Sequence, residues 1–216
     1  MKKLLLGAVL ALLGGLQLQA GNVLVTNYNE DSGAQLPISL SSGAALLKGG
    51  SVQIGTWISD PTALIAGFTS PAGRDALLAA FVTFGEPSSI GKDVDGLYQF
   101  DRSVPIASNS PLVGQSIYTM IGNNAALGTS DQFAIIRHNM TFAADAPVFA
   151  GVADISSAGF VVLRGCLGGP SITTALGAAP SLSFPFLEGC IPEPTSVSLL
   201  FASLALIARR RRMNAV

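Results

Sequence analysis

The sequence contains one histidine, His138. A nucleophilic hydrolase would need that imidazole as general base, a serine to attack and an acid such as Asp131 to orient the ring. No Gly-x-Ser-x-Gly elbow is present to present such a serine. His138 follows the β-prone run Phe133–Ile136, so it reads as a strand-end histidine making ordinary hydrogen bonds, and no catalytic residue is assigned. Asp93 and Asp95 stand two apart with Gly96 behind them. Hard oxygen ligands on a glycine-containing loop suit calcium, but the spacing is not that of an EF-hand. The pair is expected to be a solvated turn, with calcium binding as the alternative. Trp57, Tyr98 and Tyr118 could line a sugar-binding face, although aromatic side chains on strands more often fill a core. A glycosidase needs a fixed separation between two carboxylates, which spacing along the chain does not supply. The expectation is a protein with no turnover chemistry and no cofactor.

Two cysteines, Cys166 and Cys190, complete the reactive inventory. One histidine and no Cys-x-x-Cys leave no zinc site. An exported chain meets an oxidising compartment, so these two are candidates for a disulfide. The loop between them would stabilise the fold by roughly 3 kcal/mol.

Both ends carry sorting information. Met1-Lys2-Lys3 precedes the apolar run Leu4–Leu16, and Gln17-Leu18-Gln19-Ala20 follows. A positive start, an apolar middle and a small residue at the end make a secretory signal peptide, cleaved after Ala20 in this reading. At the other end Pro192-Glu193-Pro194 is followed by the apolar run Thr195–Ala208 and by Arg209, Arg210, Arg211 and Arg212. At ~1.5 Å per residue, that run covers roughly 21 Å as a helix, short of the ~30 Å hydrocarbon core. Arginine snorkelling and local thinning of the bilayer allow it to insert. The arginines hold the extreme C-terminus in the cytoplasm, with the rest of the chain outside. Three segments are therefore expected: a signal peptide at 1–20, an exported domain at 21–189 and a sorting signal at 190–216.

The tail resembles the PEP-CTERM sorting signal of Gram-negative bacteria. The likeness rests on Pro192-Glu193-Pro194, the short apolar helix and the arginine cluster, and covers about 25 residues from Ile191. Ile191 stands where the family often has valine. The resemblance implies that the chain is a substrate of an exosortase, a membrane-embedded transpeptidase-like enzyme that cuts near the motif. It also implies an envelope or matrix rich in exopolysaccharide, as in biofilms. The middle of the chain is similar to ectodomains carried by many such proteins. That similarity lies in Val52–Trp57, Leu77–Gly85, Gly114–Tyr118 and Asp131–Ile136, and it implies no activity.

The exported stretch is acidic. Gly21–Gly189 holds 12 acids against six cations, Lys48, Arg74, Lys92, Arg102, Arg137 and Arg164. Such a surface repels phosphate, which argues against nucleic acid as a partner. Charged residues make up 12% of the chain, against about 25% in ordinary globular proteins.

Short β-prone runs recur between Gly, Pro, Asn, Asp and Ser. They fall at Asn22–Tyr28, Ser51–Ile58, Gly96–Asp101, Gln115–Ile121, Gln132–His138, Val148–Ala153 and Gly159–Arg164. Val52, Ile54 and Thr56 point one way and Gln53, Gly55 and Trp57 the other. The stretch from Gly122-Asn123-Asn124 to Ser130 reads as a hairpin loop. Pro71–Phe81 reads as a helix, and Asp60–Ala66 as a short helical turn with Asp60 as its cap. The segment 165–180 is rich in small residues and reads as a loose loop or linker. The expected fold is mainly β: an antiparallel β-sandwich-like ectodomain with one or two short helices, plus an N-terminal signal helix and a C-terminal transmembrane helix. The expected role is that of a structural or interaction protein at the cell surface or in the matrix. Its expected partners are the Sec export machinery, an exosortase, the membrane and extracellular polysaccharide. A carbohydrate- or calcium-binding module is the alternative, and a secreted hydrolase comes third.

Overall fold

The structure, a computed structural model, describes residues 21–29, 31–45, 48–144, 150–154 and 159–184. The chain divides into the units Met1–Pro185 and Phe186–Val216. Residues 1–20 and 190–216, expected from sequence to be a signal peptide and a sorting signal, lie outside the described residues, and Cys190 with them.

The first unit is mainly β. Its strands are β1 (Gly21–Thr26), β2 (Ile38–Ser39), β3 (Ser51–Trp57), β4 (Phe81–Ser89), β5 (Gln99–Val104) and β6 (Ser116–Gly122). They continue as β7 (Phe133–Thr141), β8 (Ala150–Asp154), β9 (Phe160–Arg164), β10 (Cys166–Thr174) and β11 (Gly177–Ser183). Helices α1 (Thr62–Ala66) and α2 (Pro71–Ala79) sit between β3 and β4.

The largest sheet is antiparallel throughout, in the order β4-β3-β6-β7-β9. Its alternation follows the sequence. Val52, Ile54, Ile117, Ile121 and Ile136 join one apolar cluster with Val23 and Val25 of β1, Phe100 of β5 and Leu182 of β11. Trp57, Tyr118, Met120, Phe133 and Ile135 join a second cluster with Ile65, Phe68 and Leu77 from the helical segment. Every residue of β3 is buried, because apolar clusters cover both faces of that central strand. The β6–β7 hairpin closes through the loop expected at Gly122–Ser130, except that Gly122 itself still pairs with Phe133 as the last residue of β6.

Two smaller sheets have the orders β5-β1-β8 and β10-β11-β2. They depart from a purely antiparallel plan, since β1 pairs with β8 and β11 pairs with β2 in parallel. The segment 165–180 is not a loose loop. It forms most of the β10–β11 hairpin, whose two strands pair from Cys166↔Ser183 to Thr174↔Gly177.

The second helix is shorter than its spacing suggests. Ser70 caps it by accepting from the Gly73 N–H at 3.2 Å, and Pro71 opens the first turn. It ends at Ala79, and Phe81 instead begins β4 beside Trp57. A Cβ on Gly73 would fall 2.2 Å from the Gly67 carbonyl oxygen, so only glycine allows the two helical segments to approach this closely. Asp60 stands one position outside the α1 cap, Pro61, and accepts from the Thr62 N–H and hydroxyl. Those two bonds hold its carboxyl below the usual carboxylate range.

β4 carries a bulge opposite Gln53, where Gly85 adopts φ +66°. The buried Gln53 amide donates to the Phe84 and Gly85 carbonyls at 3.3 and 3.1 Å. Arg102 donates to the carbonyls of Glu86 and Pro87 in the same bulge. The distortion is thus satisfied by side chains from two neighbouring strands.

Candidate functional site

His138 lies inside β7, not at its end, and alternates with Ile136 toward the larger cluster. It is 3% exposed. Its Nε2 sits 2.7 Å from the Thr119 hydroxyl on the adjacent β6. Burial pushes the imidazole pKa down to about 4, so the ring is neutral at ordinary pH. Thr119 is fully buried as well. Asp131 is exposed in the β6–β7 loop and accepts from the Asn123 amide at 2.6 Å. The triad geometry weighed from sequence is therefore not assembled: the base faces a threonine inside the core.

The aromatic residues go the same way. Trp57, Tyr98 and Tyr118 are 3%, 2% and 7% exposed. Trp57 stacks obliquely on Phe81 and edge-on to Tyr118, with ring centroids 4.6 and 5.0 Å away. Its Nε1–H donates to the Leu77 carbonyl at 3.2 Å, which fastens α2 to β3. These rings are core, and no sugar can stack on them without unfolding.

Asp93 and Asp95 occupy the turn that leads from β4 into β5, and both are exposed. Asp95 lies 3.8 Å from the Lys48 ammonium, an exposed pair that contributes little to stability. Asp93 borders a small surface depression together with Tyr28, Lys92, Leu97 and Gln99. Gly96 closes the turn at φ +78°. Among the described residues no group of three or more His, Cys, Asp or Glu side chains converges on one point. The two carboxylates share a turn without a third acidic ligand beside them among the described residues.

Cys166 opens β10 opposite Ser183 and is disulfide-bonded. The other sequence-predicted site residues, Cys190, Pro192, Glu193, Pro194 and Arg209, Arg210, Arg211 and Arg212, lie outside the described residues. Among the described residues no helix is long and apolar enough to cross a membrane.

The chain matches no family model, no curated protein and no solved structure.

One organising residue was not singled out from sequence. Asn27 is fully buried where β1 ends. Its Oδ1 accepts from the Tyr98 N–H at 2.7 Å, and its Nδ2 donates to the carbonyls of Leu36 and Gly96 at 3.0 and 3.3 Å. It thereby ties the Asp93–Gly96 turn to the connection between β1 and β2. Asparagine reads as a turn residue in sequence, and nothing in its spacing distinguishes an exposed turn from a buried junction.

Proposed function

We propose that the protein is an exported component of the cell surface or extracellular matrix, sorted by an exosortase, with a structural or interaction role linked to exopolysaccharide. The observation that carries this reading is the order of the C-terminal sequence: Pro192-Glu193-Pro194, then Thr195–Ala208, then Arg209–Arg212. The signal peptide at 1–20 agrees with it in direction, since both place the chain between them outside the cytoplasm.

The exported unit supports a non-catalytic role. On this reading it is a β-sandwich-like module in which the five-stranded sheet packs against β1 and β5 across the larger apolar cluster. Its histidine and its tryptophan are both committed to buried hydrogen bonds. A hydrolase built on His138 has the buried imidazole against it. A calcium-binding module retains one favourable observation, the exposed carboxylates of Asp93 and Asp95 on a single turn.

The sorting reading is tested with Glu193→Ala in a host that has an active exosortase. Export should continue while processing stops, and full-length, signal-cleaved protein should accumulate in the inner membrane. Normal processing of that variant would count against the motif.

A further inference from the structure

We propose that Arg137 and Arg164, on the side of the large sheet that carries the helical segment, bind the carboxylates of an acidic polysaccharide. This rests on the exopolysaccharide link proposed above and names the surface that would make it. Arg164 ends β9 in register with Ile135 of β7. Its guanidinium carbon lies 4.5 Å from the centroid of the Phe68 ring. Its Nε is buried and has no hydrogen-bond partner. Burial pushes its pKa below the ordinary arginine value, although it stays a cation at any working pH. Arg137 stands two residues after Ile135, is exposed, and pairs with Tyr118 of β6 and Val161 of β9. Asn139 and Thr141 follow on the same face of β7, both exposed, while His138 between Arg137 and Asn139 turns into the core. The two arginines therefore occupy neighbouring register positions, about 7 Å apart along the strands.

The other cations of the domain are handled differently. Lys48 lies 3.8 Å from Asp95, and Arg74 lies 3.0 Å from Asp75. Arg102 donates to the carbonyls of the β4 bulge. Among the described residues neither Arg137 nor Arg164 has a carboxylate partner. Strands β3, β6, β7 and β9 contain no aspartate or glutamate. A partly buried charge without a counter-ion is costly, and a second cation beside it adds repulsion. A bound anion relieves both. Stacking on Phe68 holds the guanidinium plane in place, which suits the two-point contact that arginine makes with a carboxylate.

The form of the strip selects the polymer. Arg137, Asn139 and Thr141 are three exposed polar side chains in a row on one strand, a flat array of partners for sugar hydroxyls. Duplex nucleic acid carries one charge per ~1.7 Å, far denser than two arginines match. A sugar chain with one carboxylate per ring is sparser. The 12 acids of Gly21–Gly189 do not cancel the pair, because exposed charges more than about 8 Å away are largely screened at physiological ionic strength.

The test uses the full chain in detergent micelles and three immobilised probes: polygalacturonate, neutral dextran and polyglutamate. Biolayer interferometry should show binding to polygalacturonate that weakens as salt is raised, and little binding to the other two. Arg137→Gln and Arg164→Gln should each weaken it about tenfold. Lys92→Gln, at an exposed cation in the β4–β5 turn, should leave it unchanged. Arg137 is exposed, so its variant reads the strip even where Arg164→Gln disturbs the fold. No binding to polygalacturonate at low salt would overturn the proposal, and so would unchanged affinity in the Arg137→Gln variant. Tighter binding to polyglutamate would overturn it in favour of an acidic protein partner. Binding to dextran that neither substitution alters would overturn the arginine strip while leaving the exopolysaccharide link standing. The sorting reading is decided separately, by the mass of the mature C-terminus.

Discussion

The Nε2 of His138 lies 2.7 Å from the Thr119 hydroxyl, and both side chains are buried between strands β6 and β7. Burial makes the histidine a pH liability. Its folded pKa is depressed from 6.5 to about 4 by burial. Above pH 6.5 the ring is neutral in both states and costs nothing. As pH falls from 6.5 toward 4, the unfolded chain takes up a proton that the folded chain refuses, and stability drops. The loss approaches roughly 3 kcal/mol and then levels off. Thermal melts of the wild type and His138→Gln across this window should converge as pH falls, because the variant lacks this term. Parallel melting curves would show that the imidazole does not resist protonation.

Asn27 should be costly to replace. Asn27→Ala removes the amide partner of the Tyr98 N–H and of the Leu36 carbonyl, while the Gly96 carbonyl keeps the Ile38 N–H at 3.1 Å. The expected loss is about 3 kcal/mol, from buried polar groups left unsatisfied. Urea unfolding should show a lower midpoint with an unchanged slope. A change under about 0.5 kcal/mol would mean that the junction does not depend on this side chain.

The Asp93–Asp95 turn should not bind calcium usefully. A ligand at one hundred times its Kd would stabilise the fold by about 2.7 kcal/mol. Millimolar calcium should leave the melting temperature unchanged, both in the wild type and in the Asp93→Asn, Asp95→Asn double variant. A rise in the wild type that the double variant abolishes would revive the calcium-binding module.

Much of the first unit was legible in the sequence because its central strands alternate. Val52, Ile54, Ile117 and Ile121 marked one face of the large sheet, and Trp57, Tyr118 and Met120 the other. What escaped lacked that signal. Leu77, Leu78 and Phe81 have helical spacing, so the helix read at Pro71–Phe81 overlaps the first residue of β4 and the rest of that strand carries no reading, whereas Phe81 packs on Trp57 from a strand. In β10 and β11 only Ile172, Ser181 and Leu182 are buried. The remaining Gly, Ser, Thr, Ala and Pro residues have no apolar period, and the hairpin exists through its pairing partners. Parallel pairing of β1 with β8 joins segments more than a hundred residues apart, which local pattern does not encode. The site residues divided similarly. Residue type and spacing single out His138 and the Asp93–Asp95 turn, and burial separates them, with the imidazole inside the core and both carboxylates exposed.

The sorting tail carries the central claim. Four adjacent arginines are costly to pull across a bilayer, so they should stop translocation. On the proposed sorting reading, the inability of proline to continue a helix suits a motif that a membrane-embedded protease has to reach. Mass spectrometry of the mature protein, purified from a host with an active exosortase, reads the outcome directly. The account predicts a C-terminus at or near Pro192-Glu193-Pro194, with Thr195–Val216 removed. An intact end at Val216 would mean that the tail is only an anchor, and would contradict it.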